Sequence, residues 1–169
     1  MARAHFVKKA RKDNPVVKAG ESYWWWQFLH GSKQYSATRP KPSQLTQGRW
    51  GEVYAVEEDF QVEIAGAGST DDLQSAVESA GERLNEIADE FEEGLQNMPE
   101  QLQEGDTGQR IQERVDALRE AADLFEQYEF LEPEDVKDEC DDDETPIDAA
   151  FRVNQNNIES QLEFPSDPF

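Results

Sequence analysis

From Leu73 onward the chain places its apolar residues at helical intervals. Leu73, Val77, Ala80, Leu84, Ile87, Phe91 and Met98 are spaced by 4, 3, 4, 3, 4 and 7 residues, a heptad seam that predicts one long amphipathic helix. Leu95 widens the stripe, while Gly81 and Gly94 weaken the helix. Ser69 or Thr70 is the expected N-cap, with Asp71 and Asp72 in the first turn, where the helix dipole favours negative charge. Met98-Pro99 ends or kinks the helix. After Gly105-Asp106-Thr107-Gly108 a second seam runs through Ile111, Val115, Leu118, Ala122 and Phe125, with Tyr128 just beyond. Each seam is a single stripe that needs a partner, so the two predict an antiparallel hairpin or a coiled-coil oligomer.

Upstream, Leu45, Trp50, Val53, Val56, Phe60 and Ile64 lie near helical spacing, with Ser43 as the expected N-cap. Phe60, Val62 and Ile64 also alternate like a strand, which leaves the end of that element open. Before it the pattern changes to one of aromatic residues. Tyr23–Leu29 reads as a strand with Tyr23, Trp25, Gln27 and Leu29 on one face and Trp24, Trp26 and Phe28 on the other. His30-Gly31-Ser32 is a turn, and Lys33–Thr38 returns as the partner strand. His5–Ala10 supplies a third strand. Toward the C-terminus, Pro133–Glu144 reads as a solvated acidic linker. It lacks the spacing, central glycine and closing glutamate of an EF-hand, so only nonspecific divalent binding competes with that reading. Thr145-Pro146 opens one more helix, docked through Ile147, Ala150, Phe151, Ile158 and Leu162. Phe164–Phe169 reads as a disordered end or a short docking peptide.

The expected fold class is α+β, predominantly α: a small antiparallel β head over residues 1–47, acidic amphipathic helices over 48–131, and an acidic linker, short helix and flexible tail over 132–169. Composition agrees with a thin core, since only 36% of the 169 residues are hydrophobic while 32% are charged. Charge changes the picture more. Residues 1–49 hold ten lysines and arginines against two acids, Asp13 and Glu21, for a net of +8. Residues 50–169 hold six against 36, a net of −30, so the overall −22 hides a division near Trp50.

In the head, Lys8, Lys9, Arg11, Lys12, Lys33, Arg39 and Lys41 are candidates to neutralise phosphates, and Trp24, Trp26 and Tyr35 to stack on bases. Two structural readings stand beside this. The tryptophans can instead be the core of a tiny domain, packed with Trp50, and the lysines can meet the protein's own acidic half. The segment Gly20–Thr38, a tryptophan strand, a glycine turn and a return strand, resembles the hairpin of phage-integrase arm-binding domains. That resemblance implies a three-stranded DNA-binding module. His5-Phe-Val-Lys-Lys-Ala-Arg-Lys and Pro40-Lys-Pro-Ser-Gln-Leu-Thr-Gln, around the tryptophan strand, resemble uncharacterised proteins encoded by tailed phages, over residues 1–47. This second resemblance implies a phage context and no particular activity.

On the first long helix Glu78, Glu82, Glu86, Glu90 and Glu93 form an acidic face. Such a face is ordinarily a solvated surface that keeps an extended protein soluble. The sharper reading is DNA mimicry, with carboxylates standing in for phosphates. Catalytic residues are scarce: the two histidines, His5 and His30, both lie in the head, and no nucleophile elbow, phosphate-binding glycine loop or HExxH occurs. Cys140 is the sole cysteine, which excludes an internal disulfide framework. No enzyme, cofactor or metal is expected. The start of the chain lacks a signal-peptide pattern, and no run approaches the ~18 apolar residues of a membrane span. The expectation is a cytoplasmic, non-catalytic, phage-type binding protein whose head contacts nucleic acid or an acidic surface. Its helices would engage a basic host or phage protein, or form a homo-oligomer through the seams. The alternatives are a DNA-mimic inhibitor of a host DNA-binding or defence protein, and a structural or assembly protein of a virion.

Overall fold

A computed structural model describes residues 1–137, 140 and 144–167. The chain is α+β and predominantly helical, with a three-stranded antiparallel sheet followed, among the described residues, by six helices. It divides into two compact units, Met1–Ala55 and Val56–Phe169, with the boundary inside the helix Trp50–Gly66.

In the first unit, β1 (His5–Val7), β2 (Tyr23–Trp26) and β3 (Gln34–Ser36) form a sheet in the order β1-β2-β3. Register pairs Trp24 with Phe6 and Ser36, and Trp25 with His5 and Tyr35. All three strands are shorter than their aromatic and alternating patterns suggest. β2 stops at Trp26 because the next residues bond locally: Gln27 Nε2 donates to Gly31 O at 2.8 Å, and Gly31 N–H donates to Phe28 O at 3.1 Å. Leu29, expected on the strand, is 89% exposed in that loop. The long β1–β2 connection is fastened by its own polar side chains. Asn14 Oδ1 accepts from the N–H groups of Val16 and Val17, Asp13 Oδ1 from Ala19 N–H, and Glu21 Oε2 from Lys18 N–H. Gly20 adopts φ +99°, which a side chain would disfavour. The buried residues of this unit include Ala10, Trp26, Trp50 and Val53.

The single helix expected from Leu45 is two elements. A one-turn helix, α1 (Pro42–Leu45), is capped by Gln44 Oε1 accepting from Lys41 N–H at 3.0 Å, so Ser43 lies inside it rather than capping it. The chain then breaks at Gly48, with φ +83°, before α2 (Trp50–Gly66) begins. The Phe60–Ile64 stretch is helical throughout: Phe60 and Ile64 are buried and Val62 points to solvent.

The second unit is built on a hairpin. α3 (Thr70–Gln96) and α5 (Asp106–Glu126) run antiparallel, joined by the single turn α4 (Glu100–Gln103). Ser69 is the N-cap of α3: its Oγ accepts from Asp72 N–H at 3.2 Å while Asp72 Oδ2 accepts from Gly68 N–H and Ser69 Oγ. The seam residues Leu73, Val77, Ala80, Leu84 and Ile87 are buried, as are Val115, Leu118, Ala122 and Phe125. Gly81 marks a close approach of the two helices, since a Cβ there would lie 3.2 Å from Phe125 Cβ. Gly108 is inside α5 rather than in the turn before it, because α4 folds back until Gln103 O is 1.9 Å from where its Cβ would be.

Finally α6 (Pro146–Gln161), capped by Thr145, packs Ala149, Ala150, Val153 and Ile158 inward. Ile147, expected to dock, is 68% exposed because it falls in the first turn on the outer side. Val136 of the acidic run is buried with Ala149, Ala150 and Val153, and Cys140 packs against them. The remaining acids at 138, 139 and 141–143, with Pro168 and Phe169, lie outside the described residues. Where the sequence suggests a disordered end, the chain up to Asp167 is packed. Phe164 lies 5.5 Å from Phe60 and 5.1 Å from Phe125 between ring centroids, and Asp167 receives a bidentate bond from Arg114. No helix among the described residues is long and apolar enough to cross a membrane.

Candidate functional site

The head presents its cations at the edges of the small sheet. Lys8 and Lys9 leave β1, Arg11 and Lys12 follow the buried Ala10, Lys33 precedes β3, and Arg39 and Lys41 flank the buried Pro40; all seven are exposed. The two acids of residues 1–49 are too few to offset ten lysines and arginines, and the carboxylates of Asp13 and Glu21 accept from backbone N–H groups of the β1–β2 loop. Among the described residues no ion pair joins Lys8, Lys9, Arg11 or Lys12 to an acid of the same unit.

The aromatic candidates separate. Trp26 is only 6% exposed and is a core residue, so its ring is closed to a base; its indole N–H is buried with no partner among the described residues. Trp24 and Tyr35 are half-buried but belong to opposite faces of the sheet, since Trp24 pairs with Ser36 and Tyr35 with Trp25. They cannot stack on the same stretch of strand. Trp25 is already engaged from β1 and from the residue just before β3: His5 stacks on it at 4.4 Å and 14°, and Lys33 Nζ lies 4.3 Å from its ring centroid. Lys33 is thereby held at an aromatic face rather than extended. The ring sequence reasoning missed is Phe6, which is 54% exposed and 4.9 Å from Trp24. Its signal was the β1–β2 register, which sets the two side by side.

On the second unit Glu78, Glu82, Glu86, Glu90 and Glu93 are all exposed along α3. Successive members four residues apart advance about 6 Å along the axis. Several of the unit's arginines make tertiary bridges with other acids. Arg119 bonds Asn85 Oδ1 at 2.7 Å and Asp89, and reaches Glu92 at 3.6 Å. Arg83 pairs with Asp59, Arg114 with Asp167 and Arg152 with Glu144. At least four of the six cations in residues 50–169 are therefore committed to ion pairs among the described residues. Hydrogen bonding to Asp89 raises the Arg119 pKa further.

A cleft of about 510 Å³ opens between α2, α6 and the tail, floored by Phe60, Ile64, Ile158 and Leu162 and edged by Glu57, Glu159 and Glu163. Desolvation, with the charge of Glu58 beside it, holds the Glu57 carboxyl above the ordinary carboxylate range. Among the described residues no cluster of three or more histidine, cysteine or acidic side chains has the geometry to hold a metal ion. No protein-family model, curated protein or solved structure matches this chain.

Proposed function

We propose that this chain is a non-catalytic, phage-type accessory protein that binds through two surfaces of opposite charge. The basic head takes a polyanion, nucleic acid in the first place, and the acidic helices take a basic protein. The observation that carries this reading is that each unit exposes charge of one sign in excess. In the head the acids are occupied by backbone N–H groups; in the helical unit most of the arginines are occupied by tertiary bridges. The α3 and α5 seams face one another within one chain, which favours a self-contained hairpin over an oligomer held by the seams.

The test for the head is duplex and single-stranded DNA binding as a function of salt, for the native chain and for Lys8→Glu, Lys9→Glu, Arg11→Glu, Lys12→Glu combined. If these four cations contact phosphates, the slope of log K against log salt should fall by about 3–4, since each contact contributes about 0.9 on duplex DNA. Equal slopes for the two proteins would remove the head from nucleic acid.

A second reading is favoured by the continuity of the α3 row. Steps of about 6 Å are close to the rise over two phosphates of one strand, about 3.4 Å each. On this reading the row imitates nucleic acid and competes with DNA for a basic protein. Glu82→Lys, Glu86→Lys and Glu90→Lys together should then abolish the competition while leaving head-driven binding intact.

A further inference from the structure

We propose that the cleft between α2, α6 and the C-terminal segment is the anchoring pocket for a basic amphipathic segment of a protein partner, taking an arginine and a neighbouring aliphatic side chain. This rests on reading the acidic unit as a protein-binding surface and names the place on it where specificity resides.

The chemistry is read from the lining. Phe60, Ile64, Ile158 and Leu162 make an apolar floor, and all four are buried. The polar members are Glu57, Glu159, Glu163 and Gln61, and no lysine or arginine is among the lining residues. An apolar floor under a rim of one charge sign selects a ligand that is apolar in its body and cationic at its tip. An arginine side chain has this form: its methylene stem covers apolar surface while the guanidinium reaches the rim. Arginine is favoured over lysine because its guanidinium is less strongly hydrated and stacks on aromatic rings, and Phe164 offers a half-buried ring at the edge.

Size argues for more than one side chain. A volume near 510 Å³ falls in the ordinary range for ligand sites, roughly 300–1,000 Å³, and exceeds what a single extended side chain occupies. The added room suits an aliphatic neighbour one helical turn away on the same partner face. Burial first, and the neighbouring Glu58 charge second, raise the Glu57 pKa, so a guanidinium brought to the rim would favour its ionised form.

The experiment uses the full chain and a fluorescently labelled synthetic amphipathic peptide with arginine and leucine at helical spacing, followed by anisotropy at fixed moderate salt. Three variants separate the pocket from general charge attraction. Gln61→Trp fills the cleft from an exposed lining position without changing charge. Glu159→Gln with Glu163→Gln strips the rim. Glu82→Gln with Glu86→Gln removes the same charge from α3. The expected result is a tenfold or greater loss of affinity for the first two and about twofold for the third. Binding unaffected by Gln61→Trp, or weakened equally by the rim and α3 pairs, would overturn the pocket while leaving an acidic protein-binding surface intact. No binding by the native chain would remove both the pocket and the protein-binding reading of the acidic unit.

Discussion

Asn154 offers the sharpest test of how the helical unit is held together. It is the one buried polar side chain among the described residues, 0% exposed on the inner face of α6. Its Oδ1 accepts from Leu131 N–H and its Nδ2 donates to Leu131 O, both at 2.9 Å, so the amide pairs with the Leu131 backbone on both sides. The Asn154 carbonyl also accepts from Tyr128 OH at 3.2 Å. One residue of α6 thereby fixes the path of the chain as it leaves α5. Asn154→Asp keeps shape and changes one group, replacing the donor that faces Leu131 O with a second oxygen. At neutral pH this costs a net hydrogen bond of about 1 kcal/mol and leaves a buried carbonyl unsatisfied, about 1–3 kcal/mol more. An unpaired buried charge adds to both, for a total of roughly 3–5 kcal/mol.

The sign with pH follows from burial. Desolvation raises the folded-state pKa of the introduced carboxyl above its unfolded value of about 3.9. Below that value both states are protonated, and the neutral carboxyl can donate to Leu131 O, so the deficit is small. As pH rises from there to the folded-state pKa the deficit grows, and above it the deficit is constant. The assay is urea unfolding followed by far-UV circular dichroism, native chain against variant at each pH, with Asn154→Ala as the variant that lacks a titrating group. A deficit under ~1 kcal/mol at pH 7, or one that does not change with pH, would refute the reasoning.

Four further outcomes follow from named contacts. Gly108→Ala should destabilise by about 2 kcal/mol or more, since a Cβ meets Gln103 O at 1.9 Å and overrides the helix propensity gained; Gly66→Ala, with nothing within 4 Å, should be nearly neutral in the same thermal melt. Bonds from Gly68 N–H and Ser69 hold the Asp72 carboxyl below the ordinary carboxylate range, so its stabilisation is present above the unfolded pKa and lost as pH falls through the lower folded one. Native and Asp72→Asn melting temperatures should accordingly differ most at neutral pH and converge in acid. Phe164→Ala should cost about 2 kcal/mol, below the usual range for a fully buried phenylalanine, and should speed proteolysis of residues 162–167. The native melting temperature should rise from low to moderate salt, because screening relieves more acid–acid repulsion than it takes from the ion pairs; a fall would mean that the pairs dominate.

The long-period features were legible and the single contacts were not. Heptad intervals identify α3 and α5 because burial of a stripe is a repeated requirement, imposed at Leu73, Val77, Ala80, Leu84 and Ile87 alike. Caps such as Ser69 and Thr145-Pro146 are legible because their chemistry is local. Asn154 is not, since its polarity predicts exposure and its partner Leu131 is 23 residues away. Gly108 reads as part of a turn by composition, and only the return of α4 over it explains why a helix interior lacks a side chain. Val136 is concealed by its acidic neighbours although it is 1% exposed. In the head, composition cannot rank three consecutive tryptophans. Register does so, placing Trp24 beside exposed Phe6, Trp25 between His5 and Lys33, and Trp26 in the core.

The distribution of arginines ties this architecture to the proposed function. With 36 acids in residues 50–169, six cations cannot neutralise the surface, and their placement has to serve something else. Arg83 joins α3 to α2, Arg119 joins α5 to α3, and Arg114 joins α5 to the C-terminal segment. Each sets an arginine of one element against a carboxylate of another at a packing contact. Individual exposed pairs contribute little, about 0–1 kcal/mol, and their value here is in permitting close approach. With 36 acids against six cations, the outer surface stays strongly acidic whatever these pairs neutralise. Such a surface carries a standing repulsion that a basic partner, on the proposed reading, would relieve, and binding would then stabilise the helical unit by linkage. The head has the complementary arrangement, with its two carboxylates turned to backbone N–H groups and its lysines facing outward.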